Sequence, residues 1–403
     1  MAVTPLTTPL LTIGVLFFFA KMTGILLKRF GVPTVVGEIL GGMLIGPYAV
    51  GGLINRLFGA GIITIDSTVE LFSQVAVILI IFSAAAENGF SGLRRAGLYA
   101  LLVAIGGAVL PFFLGFYFFI EIGRSIPVAI LLGSTMAATS LAVTAQSLSR
   151  LEERYGEETN LIINAAAIDD VVSIILLAVA LTIVSSTSVS IRPIDVLLVV
   201  VGATATWFAM LLASLTIIPQ LIKAIARLRD DSLLESASLA IAFALSSIST
   251  IAGLSTVVGA YLAGLSMNSS QAREHALRFS NILKNSLGPL FFAVIGAQLN
   301  FTSFLSPYVV AGVISLTAIA VFGKAAGAGI FSLLKFRKLA AALRVGVAMI
   351  PRGEVGLVIA GIALQQNLLP QSLYAEIIGM VMATTVIGPI GLERLYHVGS
   401  SAR

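Results

Sequence analysis

Cysteine is absent from this chain of 403 residues, so disulfide frameworks, zinc knuckles and thiol chemistry are excluded. Histidine is almost absent. His275 and His397 are too few and too far apart to form a histidine metal site. Charge is scarce as well, at 11% of residues, where a water-soluble domain carries about 25%. That scarcity excludes an ordinary soluble globule and a disordered chain. The net charge of +5 does not point to nucleic acid either, because the basic residues lie in short loops between apolar runs. What is abundant is apolar surface. Hydrophobic residues make up 58%, and the mean hydropathy is +1.04. The composition implies an all-α polytopic protein of the lipid bilayer, nearly all of it one transmembrane bundle.

A spanning helix needs about 20 apolar residues. Thirteen stretches meet or approach this, at roughly 8–28, 34–54, 69–87, 96–120, 126–149, 160–184, 195–224, 233–251, 255–268, 281–299, 308–334, 343–366 and 372–395. No Lys or Arg precedes Lys21, so the first run lacks the basic flank of a cleavable signal peptide. The distribution of basic residues tests the count. Of 24 Lys and Arg, 18 fall in or beside the loops that follow odd-numbered spans, and only Arg56, Arg124 and Arg192 follow even ones. Under the positive-inside rule this bias predicts thirteen spans in a cell inner membrane, with the N-terminus outside and the C-terminus in the cytoplasm.

Thirteen divides as six, one and six. Spans 1 and 8 then start on opposite sides, which is the parity of two inverted six-helix repeats joined by a linker helix. Residue-level identity between the halves is not visible, so the repeat rests on parity and hydropathy alone.

Three basic residues remain inside spans. Lys21 lies near a span end, where it can snorkel to the interface. Lys324 and Arg352 do not, and Asp169, Asp170, Glu354 and Glu38 join them at depth. Ionisable groups in a bilayer are costly and mark ion or substrate paths. Asp169 lies nine residues into span 6, about 14 Å at ~1.5 Å per residue, close to the middle of a core ~30 Å thick. The same arithmetic places Lys324, Arg352 and Glu354 at nearly the same height. Spans 5 and 12 are also interrupted there, by Gly133 to Ser140 and by Ile350 to Glu354. The two interruptions hold equivalent places in the two halves, the pattern of crossed, broken helices. Arg352 and Glu354 read as braces of the break, and Glu38, beside Gly41, Gly42, Gly46 and Pro47, as a partner in helix packing.

Hard monovalent cations take oxygen ligands. Asp170, Thr139, Ser140, freed carbonyls and water could supply them for Na+. A carboxylate that binds Na+ also binds a proton, and the two compete for one charge. Burial disfavours the ionised form of a carboxylate, which brings exchange within physiological pH without any histidine. Lys324 would hold Asp169 ionised until sodium arrives; if the pair then breaks, the lysine releases a second proton. No organic cofactor is expected.

Five segments carry a family resemblance: Pro33 to Pro47, Ala138-Thr139-Ser140, Ala165 to Asp170, Gly323-Lys324 and Pro351-Arg352-Gly353-Glu354. At these residues the chain resembles a sodium/proton antiporter of the monovalent cation:proton antiporter superfamily. The resemblance implies a secondary transporter and not an enzyme, with Na+ or Li+ and H+ as substrates. It also implies a homodimer that works by elevator-like movement. The dimerisation domain would comprise residues 1–95 and 231–303, the core transport domain 96–187 and 304–403, with a linker helix at 188–230. It makes Asp170 the ion-binding carboxylate and Asp169 the partner of Lys324. The adjacent aspartates resemble the electrogenic branch, which exchanges two protons per sodium. The chain stops at Arg403 without a nucleotide-binding regulatory domain, unlike glutathione-gated potassium efflux proteins. Two alternatives stay open, a K+/H+ antiporter and a sodium-coupled symporter of an organic solute. An intramembrane aspartyl protease is disfavoured, because no Gly-x-Gly-Asp occurs.

Overall fold

The computed structural model describes residues 7–58, 61–95, 97–140, 143–144, 148, 156–185, 193–228, 230–268, 270 and 273–401. The described chain is helical: α1 (Thr7–Lys28), α2 (Thr34–Ile45), α3 (Val50–Phe58), α4 (Ser67–Arg95), α5 (Gly97–Glu121), α6 (Ile126–Ser134), α7 (Gly156–Ser185), α8 (Pro193–Ala226), α9 (Asp231–Ile251), α10 (Thr256–Asn268), α11 (Arg273–Ala297), a 3-10 turn (Phe301–Leu305), α12 (Pro307–Phe336), α13 (Leu339–Ala348), α14 (Glu354–Gln365) and α15 (Gln371–Ser401). Among the described residues, nine helices or joined helix pairs are long and apolar enough to cross a membrane. Twelve of the thirteen predicted stretches fall on a helix or on consecutive helices, and the thirteenth, 126–149, is described only in part.

Two stretches differ from a plain reading. Span 2 is not continuous, because the helix stops at Gly46, whose backbone is extended, and resumes at Val50. Pro47 has no N–H to continue the ladder, which accounts for the stop. Span 5 is helical from Ile126 to Ser134; of its second half, only Val143, Thr144 and Leu148 are described. Pro127 sits in the first turn of α6, where its missing donor costs nothing.

Glycine sets how closely the helices approach. A Cβ on Gly42 or Gly296 would collide with the backbone of Ala293 or Ile39, so α2 and α11 touch backbone to backbone. The same holds for α5 and α12, where Gly106 and Gly327 face each other and Gly323 rests on Pro111. Small residues at such contacts are the usual way helices associate in lipid, where apolar burial alone gives no preference for protein over lipid tails. One set of helices, α1, α2, α4, α10 and α11, packs together in this way, and a second set gathers α5, α6, α7, α12, α13 and α15. Apolar side chains on the outer faces, such as Phe18, Phe113, Leu212 and Ile314, are half or more exposed, as lipid contact requires.

Candidate functional site: a charged crossing of two broken helices

α6 ends at Ser134, and the chain runs on without helix through Ser140. α13 ends at Ala348, and α14 starts only at Glu354. The two unwound segments meet. The Ser140 N–H donates to the Pro351 carbonyl at 2.8 Å, and the Thr139 hydroxyl donates to the Met349 carbonyl at 3.3 Å. Helix ends leave backbone groups without partners, and in a bilayer these must find them inside the protein; here each break supplies partners to the other. Gly353 makes the approach feasible, since a Cβ there would stand 2.9 Å from Ser140 Cα and 3.1 Å from the Thr139 carbonyl.

Arg352 ties the crossing to α12. Its Nη1 donates to Ala138 O and its Nη2 to Ala320 O, both at 3.2 Å, and the residue is 1% exposed. The Thr385 hydroxyl of α15 lies 3.2 Å from the Arg352 carbonyl. Glu354 starts α14, but its side chain lies outside the described residues, as do those of His275 and His397.

One turn along α12 from Ala320 stands Lys324. Its Nζ lies 2.7 Å from Asp169 Oδ1, and both side chains are fully buried. Sequence arithmetic placed the two at one height; the structure joins them across 155 residues. The second Asp169 oxygen, Oδ2, is buried without a protein partner, as is Ser173 Oγ one turn further along the same face of α7. Ser173 was not singled out from sequence, because a lone serine in an apolar run carries no signal there.

Asp170, the next residue, is only partly buried. Its charge acts on Lys324 and on Tyr261 of α10, a residue 5% exposed in the other set of helices. Asp170 therefore lies where the two sets meet. An open cavity of about 460 Å³, which Asp170 does not line, is bounded by Gln74, Thr250, Val257, Phe291, Gln298 and Gln365 among others. These residues sit at helix ends opposite the loops that hold most of the basic residues. Glu38 lies elsewhere, 6% exposed on α2, and its side chain is close enough to fill the space beside Gly24 of α1. No cluster of three or more His, Asp or Glu able to hold a metal occurs among the described residues.

The family model for the transmembrane sodium/hydrogen exchanger matches residues 14–397. The chain belongs to this family. Its members are transporters, so the protein is a multi-pass membrane antiporter of the sodium/hydrogen exchanger type. The high-affinity Na+/H+ antiporter NhaS3 of Synechocystis sp. is 31% identical over 420 residues, covering 96% of this chain and 90% of that one. The Na+/H+-K+ antiporter GerN of Bacillus cereus is 28% identical and covered over 97% of both chains. The fold is similar to that of the sodium proton antiporter MjNhaP1 from Methanocaldococcus jannaschii at pH 8, with a TM-score of 0.67, 16% identity and 96% of each chain covered.

Proposed function

We propose that this exchanger trades Na+ or Li+ for H+ at Asp170. The observation that carries the reading is the unequal treatment of two neighbouring carboxylates. Asp169 is fully buried and taken up by Lys324, whereas Asp170 beside it is partly accessible, at the boundary between the two sets of helices. Asp170 is the charge that a cation from outside the site and a proton compete for. Thr139, Ser140 and freed carbonyls of the crossing complete an oxygen shell of the kind a hard cation takes.

Arrival of sodium draws Asp169 away from Lys324, and the lysine gives up a proton. Two protons then move against each sodium. The helices around the crossing, residues 96–187 and 304–403, form the core that moves; residues 1–95 and 231–303 form the part that stays and joins two copies into a homodimer, and 188–230 link them. The N-terminus lies outside and the C-terminus in the cytoplasm of a cell inner membrane. The cavity beside Gln298 and Gln365 then opens outward, as alternating access requires of one state.

The test is proton flux in proteoliposomes with an imposed pH gradient. Adding NaCl is expected to dissipate the gradient; no response to Na+, Li+ or K+ overturns the reading. One observation favours a wider cation range. GerN, whose name includes potassium, aligns over 97% of each chain, so KCl belongs in the same series.

A further inference from the structure

Glu158 stands in the first turn of α7, and Arg344 stands in α13, five residues before the break begins at Met349. Their side chains form a fork. Arg344 Nε donates to Glu158 Oε2 and Nη2 to Oε1, each at 2.7 Å. Both side chains are close to nine-tenths buried. The guanidinium also lies 5.3 Å from the ring centre of Tyr396, which is 3% exposed on α15. Three helices thus meet at one charged node, some distance from the crossing.

α13 is the element with most to gain from this node. It has ten residues, too few to hold a helical register alone. On its other flank it rests on α12 without room to slide: a Cβ on Gly346 would collide with the Ala325 carbonyl, and one on Gly329 would come within 3.2 Å of the Ala342 carbonyl. Ala325 is the residue after Lys324. α13 is therefore wedged between the helix of the lysine and the helix of the two aspartates. Its last carbonyl and the one after it hold the opposite break, since Ala348 O accepts from the Thr144 hydroxyl at 2.9 Å and Met349 O from Thr139. A shift of α13 along α7 would move Thr139 relative to Asp170.

We infer that Glu158 and Arg344 are positioning residues for cation exchange: their forked ion pair sets the register of α7 against α13, and so the placing of Asp170 against the unwound segment of Thr139 and Ser140. This rests on the antiporter reading above. Neither residue touches the ion, because Glu158 precedes Asp170 by twelve residues, about 18 Å of helix. A lysine keeps the charge of Arg344 but not the planar fork, so Arg344→Lys removes register while retaining attraction.

The experiment uses the full chain in proteoliposomes, reading the sodium concentration at half-maximal proton flux, the maximal flux and the melting temperature. Glu158→Gln and Arg344→Lys are expected to raise the half-saturating sodium concentration about tenfold, with maximal flux falling less. The exchanged pair, Glu158→Arg with Arg344→Glu, is expected to recover part of the affinity. Recovery stays incomplete because an arginine in the first turn of α7 opposes the helix dipole. Variants that melt earlier but keep the unmodified half-saturation overturn the inference and leave the pair a structural clasp. If Glu158→Gln does not fold, Arg344→Lys decides by the same readout. An unmodified chain without cation-driven flux overturns the antiporter reading and this inference with it.

Discussion

Successive side chains on a helix point about 100° apart, so Asp169 and Asp170 cannot share one environment. The first turns into the helix set around Lys324, and the second toward Tyr261 and the boundary. One carboxylate is thereby held by a buried counter-ion, and the next stays partly accessible. Asp170→Asn removes the charge for which, on the proposed mechanism, Na+ and H+ compete. It is expected to abolish sodium-dependent proton flux while the melting temperature stays close to that of the unmodified chain; a mutant that keeps most of its flux places the site elsewhere. Lys324→Gln has a different signature, because it leaves Asp169 buried and uncompensated. Breaking such a pair typically costs ~3–5 kcal/mol, whereas removing both charges is often close to neutral. Thermal unfolding is therefore expected to fall sharply in Lys324→Gln and to recover in the double variant with Asp169→Asn. Equal losses in both would show that the charges themselves do not set the stability.

At the scale of elements, the crossing depends on one small residue. Gly353→Val would push the Thr139–Ser140 segment off Pro351 and Gly353. Overpacking of this kind costs ~1–3 kcal/mol. Exchange is expected to fail in a protein that still inserts and purifies as a folded species; retained flux would mean the breaks tolerate separation. A second element is set by a cap. Asp230 accepts from Leu233 N at 3.1 Å and from Ser232 Oγ at 2.6 Å, which hold its carboxyl below the usual carboxylate range. A lowered folded pKa stabilises above the ordinary value and is lost as pH falls through the folded one. Asp230→Ala is thus expected to destabilise the start of α9 at neutral pH and to make no difference in strong acid, as read by hydrogen exchange at Leu233. Much of this architecture was legible beforehand. Long apolar runs mark spans because lipid satisfies no backbone group, and Pro351 and Gly353 mark a break because neither sustains a helix. The stop at Gly46 was missed, since the run around it stays apolar. Arg344 was counted with the loop charges, because its partner is 186 residues away and a single sequence has no spacing rule for such a pair. Depth arithmetic gives the aspartates and Lys324 one coordinate across the membrane, and the family resemblance singles out Asp169 over Asp170 as the lysine's partner.

For the whole molecule, the charges at the site determine how it responds to voltage. Asp169, Asp170, Lys324 and Arg352 sum to zero when all are ionised. With sodium bound and Lys324 deprotonated, the sum is zero again. With a proton on Asp170 and Lys324 charged, it is one positive. On the proposed cycle the sodium-loaded core crosses the membrane without net charge, and the proton-loaded core carries one. Two protons exchanged for one sodium leave the same difference per turnover. One charge moved through the field is worth ~2.3 kcal/mol per 100 mV, close to a factor of about fifty in the attainable sodium gradient. Sodium uptake into proteoliposomes is therefore expected to rise or stall with a potassium-diffusion potential set by valinomycin, and its dependence on potential is expected to weaken in Lys324→Gln where that variant still transports. If uptake by the unmodified protein ignores the potential, Lys324 keeps its proton throughout the cycle. The exchange is then one for one at Asp170, and the 2.7 Å pair with Asp169 serves only to hold α7 against α12.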